Sequence, residues 1–148
     1  MSSRIQEEGG RQPGLVPGLV FSRTITVTDD LAARHLVGQG VKTLSTPEMV
    51  RFMERCTVDG LQLYLASGQT AVGAHVDIRH LAPTPVGMEI TVTCTLVKID
   101  RRRLSFIFEV WDAVEKIGDG RYDCFVVDRS RQQQRLDAKL GHRKASPE

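Results

Sequence analysis

Gly73 to Gly87 reads G-A-H-V-D-I-R-H-L-A-P-T-P-V-G. It alternates in the manner of a strand and closes in a proline-rich turn. Taken from Ala71, the even positions are Val72, Ala74, Val76, Ile78 and His80, and the odd ones are Gly73, His75, Asp77, Arg79 and Leu81. The even face is the expected core face, so His80 ends an apolar row. The plain account of such a histidine is one satisfied by a carbonyl or a carboxylate. His75 and Asp77 share the other face, where surface or dimer contacts are expected.

Working outward, Leu19 to Val27 reads as a half-buried first strand, and Asp29-Asp30 as the cap of a short helix through Leu36 that Gly38 and Gly40 break. The main helix starts at Ser45-Thr46-Pro47-Glu48, where a hydroxyl caps free amides, proline suits the first turn and an acid meets the positive helix end. It is expected to run to about Leu65, with Val50, Met53, Thr57, Leu61 and Tyr64 as its apolar stripe. Gly60 on that stripe would admit a close neighbour.

Strands follow over Thr70 to Leu81, Glu89 to Asp100, Arg103 to Asp112 and Gly118 to Asp128, with a hairpin at Asp100-Arg101-Arg102. They are expected to pair as a meander. One long helix beside about five antiparallel strands implies an α+β layer. After Val127 the chain turns polar and is expected to end as a frayed helix or a disordered tail.

The 148 residues are 41% apolar and 26% charged, which suits one domain with a single core. Its expected bounds are 19–129, between a flexible Gly- and Pro-containing lead-in (1–18) and a polar basic tail (130–148). The lead-in holds no apolar run long enough for a signal peptide or membrane span. A net charge of +2 gives no general pull toward nucleic acid. The basic residues Arg101 to Arg103 and Arg129 to Lys144 read as a solvated face or tail. Cys56, Cys94 and Cys124 are far apart and lack C-x-x-C spacing, so they read as small buried side chains in a reduced, cytoplasmic setting. No zinc site or disulfide framework is suggested.

Thr46, Glu54 and His80 are the one set of hydroxyl, carboxylate and imidazole that looks arranged rather than scattered. Thr46 is expected to be the N-cap, at a helix start whose free amides suit an oxyanion. Glu54 borders the apolar stripe, where a carboxylate is either hydrated or paired, with His80 a possible partner. Burial would raise its pKa and a nearby histidine would oppose that. Thr46 and Glu54 lie about 12 Å apart along a regular helix, so a substrate or His80 would have to lie between them.

The stretches S-T-P-E-M-V-R-F-M-E, T-A-V-G-A-H-V-D-I-R-H-L-A-P-T-P-V-G and G-D-G-R-Y-D-C-F-V-V-D resemble the hotdog-fold thioesterases of the fluoroacetyl-CoA thioesterase-like family. The resemblance covers about Val20 to Arg129. It implies a hotdog fold, a long central helix wrapped by a curved antiparallel sheet. The family's catalytic threonine, glutamate and histidine match Thr46, Glu54 and His80, and its substrate-contacting glycine matches Gly73. Hydrolysis of a short acyl-CoA thioester is implied, at sites built on a dimer interface. The partner is a second copy of the chain, as a homodimer or a higher homo-oligomer. No metal or redox cofactor is implied, and CoA enters as part of the substrate. Ala32 to Ser45 contains no aromatic residue. No aromatic lid can be drawn there, and the resemblance does not extend to fluoroacetyl selectivity.

Three other readings remain at this stage. The domain could bind acyl-CoA without cleaving it, as a sensor or degenerate relative. It could be an interaction protein using its basic tail. A hotdog dehydratase would also need a histidine and a carboxylate, although its usual histidine lies elsewhere.

Overall fold

A 3.6-residue apolar repeat builds one long helix, and period-two repeats build the strands that curl round it. The structure, a computed structural model, describes residues 14–143, so 1–13 of the lead-in and 144–148 of the tail lie outside it. The chain runs β1 (Val20–Thr26), α1 (Arg34–Val37), α2 (Thr46–Leu61), β2 (Gln69–His80), β3 (Glu89–Asp100), β4 (Arg103–Asp112), β5 (Lys116–Asp128) and α3 (Arg129–Gly141). The polar stretch after Asp128 is therefore helical as far as Gly141. The short helix expected after Asp29 is split into a 3₁₀ turn (Asp29–Leu31) and α1. Between them Ala33 donates to the carbonyl of Thr43 and Ala32 bridges Leu44, so both alanines are held extended.

Met49, Phe52, Met53, Cys56, Thr57 and Leu61 form the buried side of α2. The stripe is broader than the expected one, and Val50 only borders it. Thr57 is fully buried yet satisfied, its hydroxyl donating to the Met53 carbonyl at 3.1 Å. The helix packs on β1, β3 and β2. β1 and β2 are opposite edges of a five-stranded sheet, about 19 Å apart at ordinary strand spacing. A helix about 10 Å across reaches both edges only if the sheet curves. Phe21 of β1 fills the space left by Gly60, where a Cβ would run into its ring.

The strand order is β1-β3-β4-β5-β2, with every neighbouring pair antiparallel. This corrects the four-strand meander: only β3-β4-β5 is one, and β2 pairs with β5 at the far edge. The segment after β2 cannot turn straight back into a hairpin. Pro83 and Pro85 have no N–H to give a ladder, and the segment instead meets the loop before α2, where Leu44 donates to the Thr84 carbonyl.

β2 and β5 carry the detail that positions the site. Their register shifts between Gly73 and His75, leaving Ala74 as the extra residue of a bulge. Before the bulge Gly73 and Ala71 stand opposite Cys124 and Val126; after it Val76, Ile78 and His80 stand opposite Tyr122, Gly120 and Gly118. Odd residues before Ala74 and even residues after it thus share the helix face, so Val72 and Ala74 are not on the core face as the unbroken alternation implied. Close pairing beyond the bulge needs the two glycines. A Cβ on Gly120 would run into the Asp77 carbonyl, and one on Gly118 would stand 2.6 Å from Met49 Cε.

The opposite face of these strands is ionic. Arg79 forks onto Asp119 at 2.8 and 2.7 Å, and Lys116 reaches the same carboxylate at 2.8 Å. Asp123 is fully buried between Arg121 and Arg103. Hydrogen bonds from Arg79 and then Lys116 hold Asp119 down at about 2, and those from Arg121 lead in holding Asp123 lower still. His75 and Asp77 pair with each other on this face at 2.8 Å. All three cysteines are buried and free, and no helix among the described residues is long and apolar enough to cross a membrane.

Gly120→Ala places a methyl group against backbone rather than a yielding side chain. It is expected to lower unfolding stability by about 3 kcal/mol, read from urea denaturation, because the strand must move as a whole.

Candidate active site

The first turn of α2 is held by Ser45, not by Thr46 as the cap expectation had it. Ser45 has extended backbone angles, its Oγ accepts from the Glu48 amide at 3.3 Å, and its carbonyl accepts from the Met49 amide at 3.1 Å. Pro47 has no amide to satisfy. Thr46 is therefore the first helical residue, and its hydroxyl is released from capping. That hydroxyl lies 2.7 Å from His80 Nδ1. His80 is last in β2 and stands opposite Gly118, where the Met49 side chain from the first turn of α2 fills the space a side chain would take.

His80 is partly buried, and among the described residues its Nε2 has no hydrogen-bond partner. Burial pushes its pKa below the ordinary imidazole value, with the Ala82 backbone pulling partly back. The ring is accordingly neutral at pH 7, with Nδ1 engaged by Thr46 and Nε2 enclosed. Thr46 and His80 line a cavity of about 880 Å³ together with residues of the α1 region and the turn after β2, among them Arg34, His35, Leu44 and Ala82. Among the described residues its walls contain no Phe, Tyr or Trp.

Glu54 lies two turns further along α2, on its exposed flank. Its partner is not His80: the Tyr122 hydroxyl donates to Glu54 Oε2 at 3.1 Å. Gly73 is directly beside this pair, since a Cβ there would be 2.9 Å from Oε2 and 3.0 Å from the tyrosine oxygen. Burial, and then the Glu54 charge, push the Tyr122 hydroxyl well above its ordinary pKa, so it remains a donor. Glu54 faces a second depression of about 610 Å³ with Val50, Arg51 and Arg55, and Pro47 lines both depressions.

The expected residues thus form two pairs on one side of the molecule, Thr46 with His80 and Glu54 with Gly73. The sequence reading missed Tyr122, Gly118 and Gly120. The signal available was the G-D-G-R-Y-D run, where two glycines and a polar-tipped aromatic interrupt an otherwise ordinary strand. Among the described residues no group of three or more His, Cys, Asp or Glu is arranged to hold a metal ion.

Residues 27–130, which include every residue just named, match the family model described as FlK, fluoroacetyl-CoA-specific thioesterase. The fluoroacetyl-CoA thioesterase of Streptantibioticus cattleyicolor is 31% identical over 120 residues, covering 77% of this chain and 86% of that protein. A solved structure of the fluoroacetyl-CoA thioesterase FlK superposes with a TM-score of 0.78 at 28% identity, over 85% of this chain and 98% of that one. A mutant of that enzyme in complex with fluoroacetate and CoA gives 0.75 at 28% identity, over 80% and 99%. A hot-dog-like protein from Thermanaerovibrio acidaminovorans, at 21% identity and a TM-score of 0.76 over 86% and 94%, shares the fold.

Because the folded chain disfavours the charged ring, the unfolded chain takes up more protons as pH falls through 6.5, and stability falls with it. In an NMR titration, the histidine resonance that vanishes in His80→Gln should have its midpoint below 6.5. A midpoint at or above that value contradicts the buried setting.

Proposed function

This chain belongs to the fluoroacetyl-CoA-specific thioesterase family, and on that premise we propose that it hydrolyses a short-chain acyl-CoA thioester to the free acid and CoA. The site is Thr46, His80 and Glu54, with Gly73 against the substrate. The observation that carries this reading is the 2.7 Å contact between Thr46 and His80 on the wall of an open cavity. A neutral imidazole bonded to a hydroxyl is the arrangement a general base needs.

In the proposed reaction His80 accepts a proton during attack on the acyl carbon and returns it to the departing CoA sulfur. Net, one water is consumed, the C–S bond breaks and a C–O bond forms. The carbonyl oxygen is received at the start of α2 by Thr46. Its amide is the one left there, since Ser45 already engages those of Glu48 and Met49 and Pro47 has none. Glu54 completes the site as base or nucleophile across Pro47, which lines both depressions. The scheme calls for no metal or redox cofactor, and CoA takes part as substrate. A cavity wall free of Phe, Tyr and Trp among the described residues lends no support to fluoroacetyl selectivity.

The working unit in this proposal is a homodimer. β2 is an edge strand with unpaired backbone groups, and Val76 on it is 41% exposed. A second copy seated along β2 would close the side of the site where Gly73 and Glu54 lie.

On a panel of short acyl-CoAs, His80→Ala and Glu54→Ala are each expected to lower kcat/KM by about a hundredfold or more with the fold intact by circular dichroism. Wild-type activity in both variants would sink the assignment. Binding of an acyl-CoA that raises Tm without any hydrolysis would favour the non-catalytic acyl-CoA-binding reading instead. After acid quench, an acyl mass on Thr46 or Glu54 marks a covalent route. Its absence, with one ¹⁸O from labelled water in the product, marks direct attack by water. Light scattering should return the mass of two chains, and a monomer at micromolar concentration would contradict the dimer.

A further inference from the structure

We infer that Tyr122 is a positioning residue that fixes the carboxylate of Glu54, and that Gly73 is the opening through which it does so. This rests on the proposed part of Glu54 in hydrolysis.

Tyr122 is fully buried, between Phe106 of β4 and Val76 of β2 in the register of the sheet. Its hydroxyl, enclosed with the ring, meets Glu54 Oε2 at 3.1 Å. The ring is fixed by close packing on the helix face, whereas Glu54 sits on the exposed flank of α2. A glutamate there, left to itself, would keep most of its rotamer freedom. The contact exists because residue 73 has no side chain: a Cβ would come within 3.0 Å of both partners.

The kind of partner matters as much as its position. Arg51, three residues before Glu54, turns to Glu48 at 3.6 Å, and no ion pair to Glu54 occurs among the described residues. An arginine would orient the carboxylate but also neutralise it. A neutral hydroxyl orients it and leaves its charge and second oxygen available for chemistry. The same feature gives Gly73 a role in the free protein, beyond any contact with substrate.

Tyr122→Phe keeps the ring and removes the donor. It is expected to lower kcat by roughly tenfold while KM stays within about twofold, since the lost bond orients a reacting group and does not bind substrate. The decisive measurement is the double-mutant cycle. In a Glu54→Gln background, Tyr122→Phe should cause no further loss, because the group it acts on is gone. Gly73→Ala parts the two side chains and also alters the surface set against the substrate, so its readout is the epistasis: in the Glu54→Gln background its kcat loss should disappear, which a lost substrate contact alone would not produce. It also carries the test if Tyr122→Phe does not fold. Losses that multiply across the cycle, a change confined to KM, or wild-type kcat in Tyr122→Phe beside an impaired Glu54→Gln would overturn the inference. Wild-type activity in Glu54→Gln would instead remove Glu54 from the proposed function, a separate outcome.

Discussion

One extra residue in β2 governs the geometry of the site. Without the bulge at Ala74, strict alternation would put Gly73 and His80 on opposite faces of the strand. With it, both face the helix, His80 over the first turn and Gly73 beside Glu54. The bulge then requires that β2 lie very close to β5, and Gly118 and Gly120 make room for that. Site and strand pairing are therefore one problem with one solution. Any change that slips β2 against β5 turns His80 away from Thr46.

The other face of the sheet holds that register. Arg79 and Asp119 are directly opposite across β2 and β5, and the buried Asp123 stands opposite His75 and Ser105. Slipping β2 by one residue against β5 would part Arg79 from Asp119 and leave that carboxylate with Lys116, whereas Asp123 would keep Arg121 of its own strand and Arg103 of β4. Ionic pairing on the outside thus favours the register that brings the candidate-site residues together on the inside. The exposed arginines contribute little as isolated pairs. Their value lies in making one register distinct.

The two halves of the candidate site are built differently. Thr46 and His80 come from element ends, where a capping serine and a glycine opposite leave two polar side chains facing each other. Glu54 and Tyr122 come from mid-helix and mid-strand, and their contact passes beside the exposed Gly73 of the edge strand. The first pair opens on a cavity and the second on the solvent side of α2, with Pro47 between them. An acyl thioester reaching from one to the other crosses the start of the helix. There Ser45 has already used the neighbouring amides, leaving that of Thr46.

Much of this was legible in the residues themselves. Period-two alternation bounded β3 and β4, the Ser-Thr-Pro-Glu run marked the start of α2, and Gly60 announced a close neighbour, because each of these is local chemistry. Thr46, Glu54 and His80 stood out as polar groups at the margins of apolar patterns, and Gly73 through the resemblance. Their partnerships did not stand out. Two adjacent hydroxyl residues could each cap the helix, and only the backbone angles at Ser45 decide between them. A bulge has no signature in alternation until the partner strand is present, so the face of Gly73 was read inverted. Tyr122 looked like core and is core, with only its oxygen reaching a residue 68 positions away in sequence. The sequence by itself determined most of the elements and which polar side chains stand out as candidates for chemistry, since propensity, capping and periodicity act over a few residues. Which of those side chains meet was decided by tertiary structure alone. The contacts arise from strand order, register and the space left by three glycines, all of which depend on segments distant in the chain coming together.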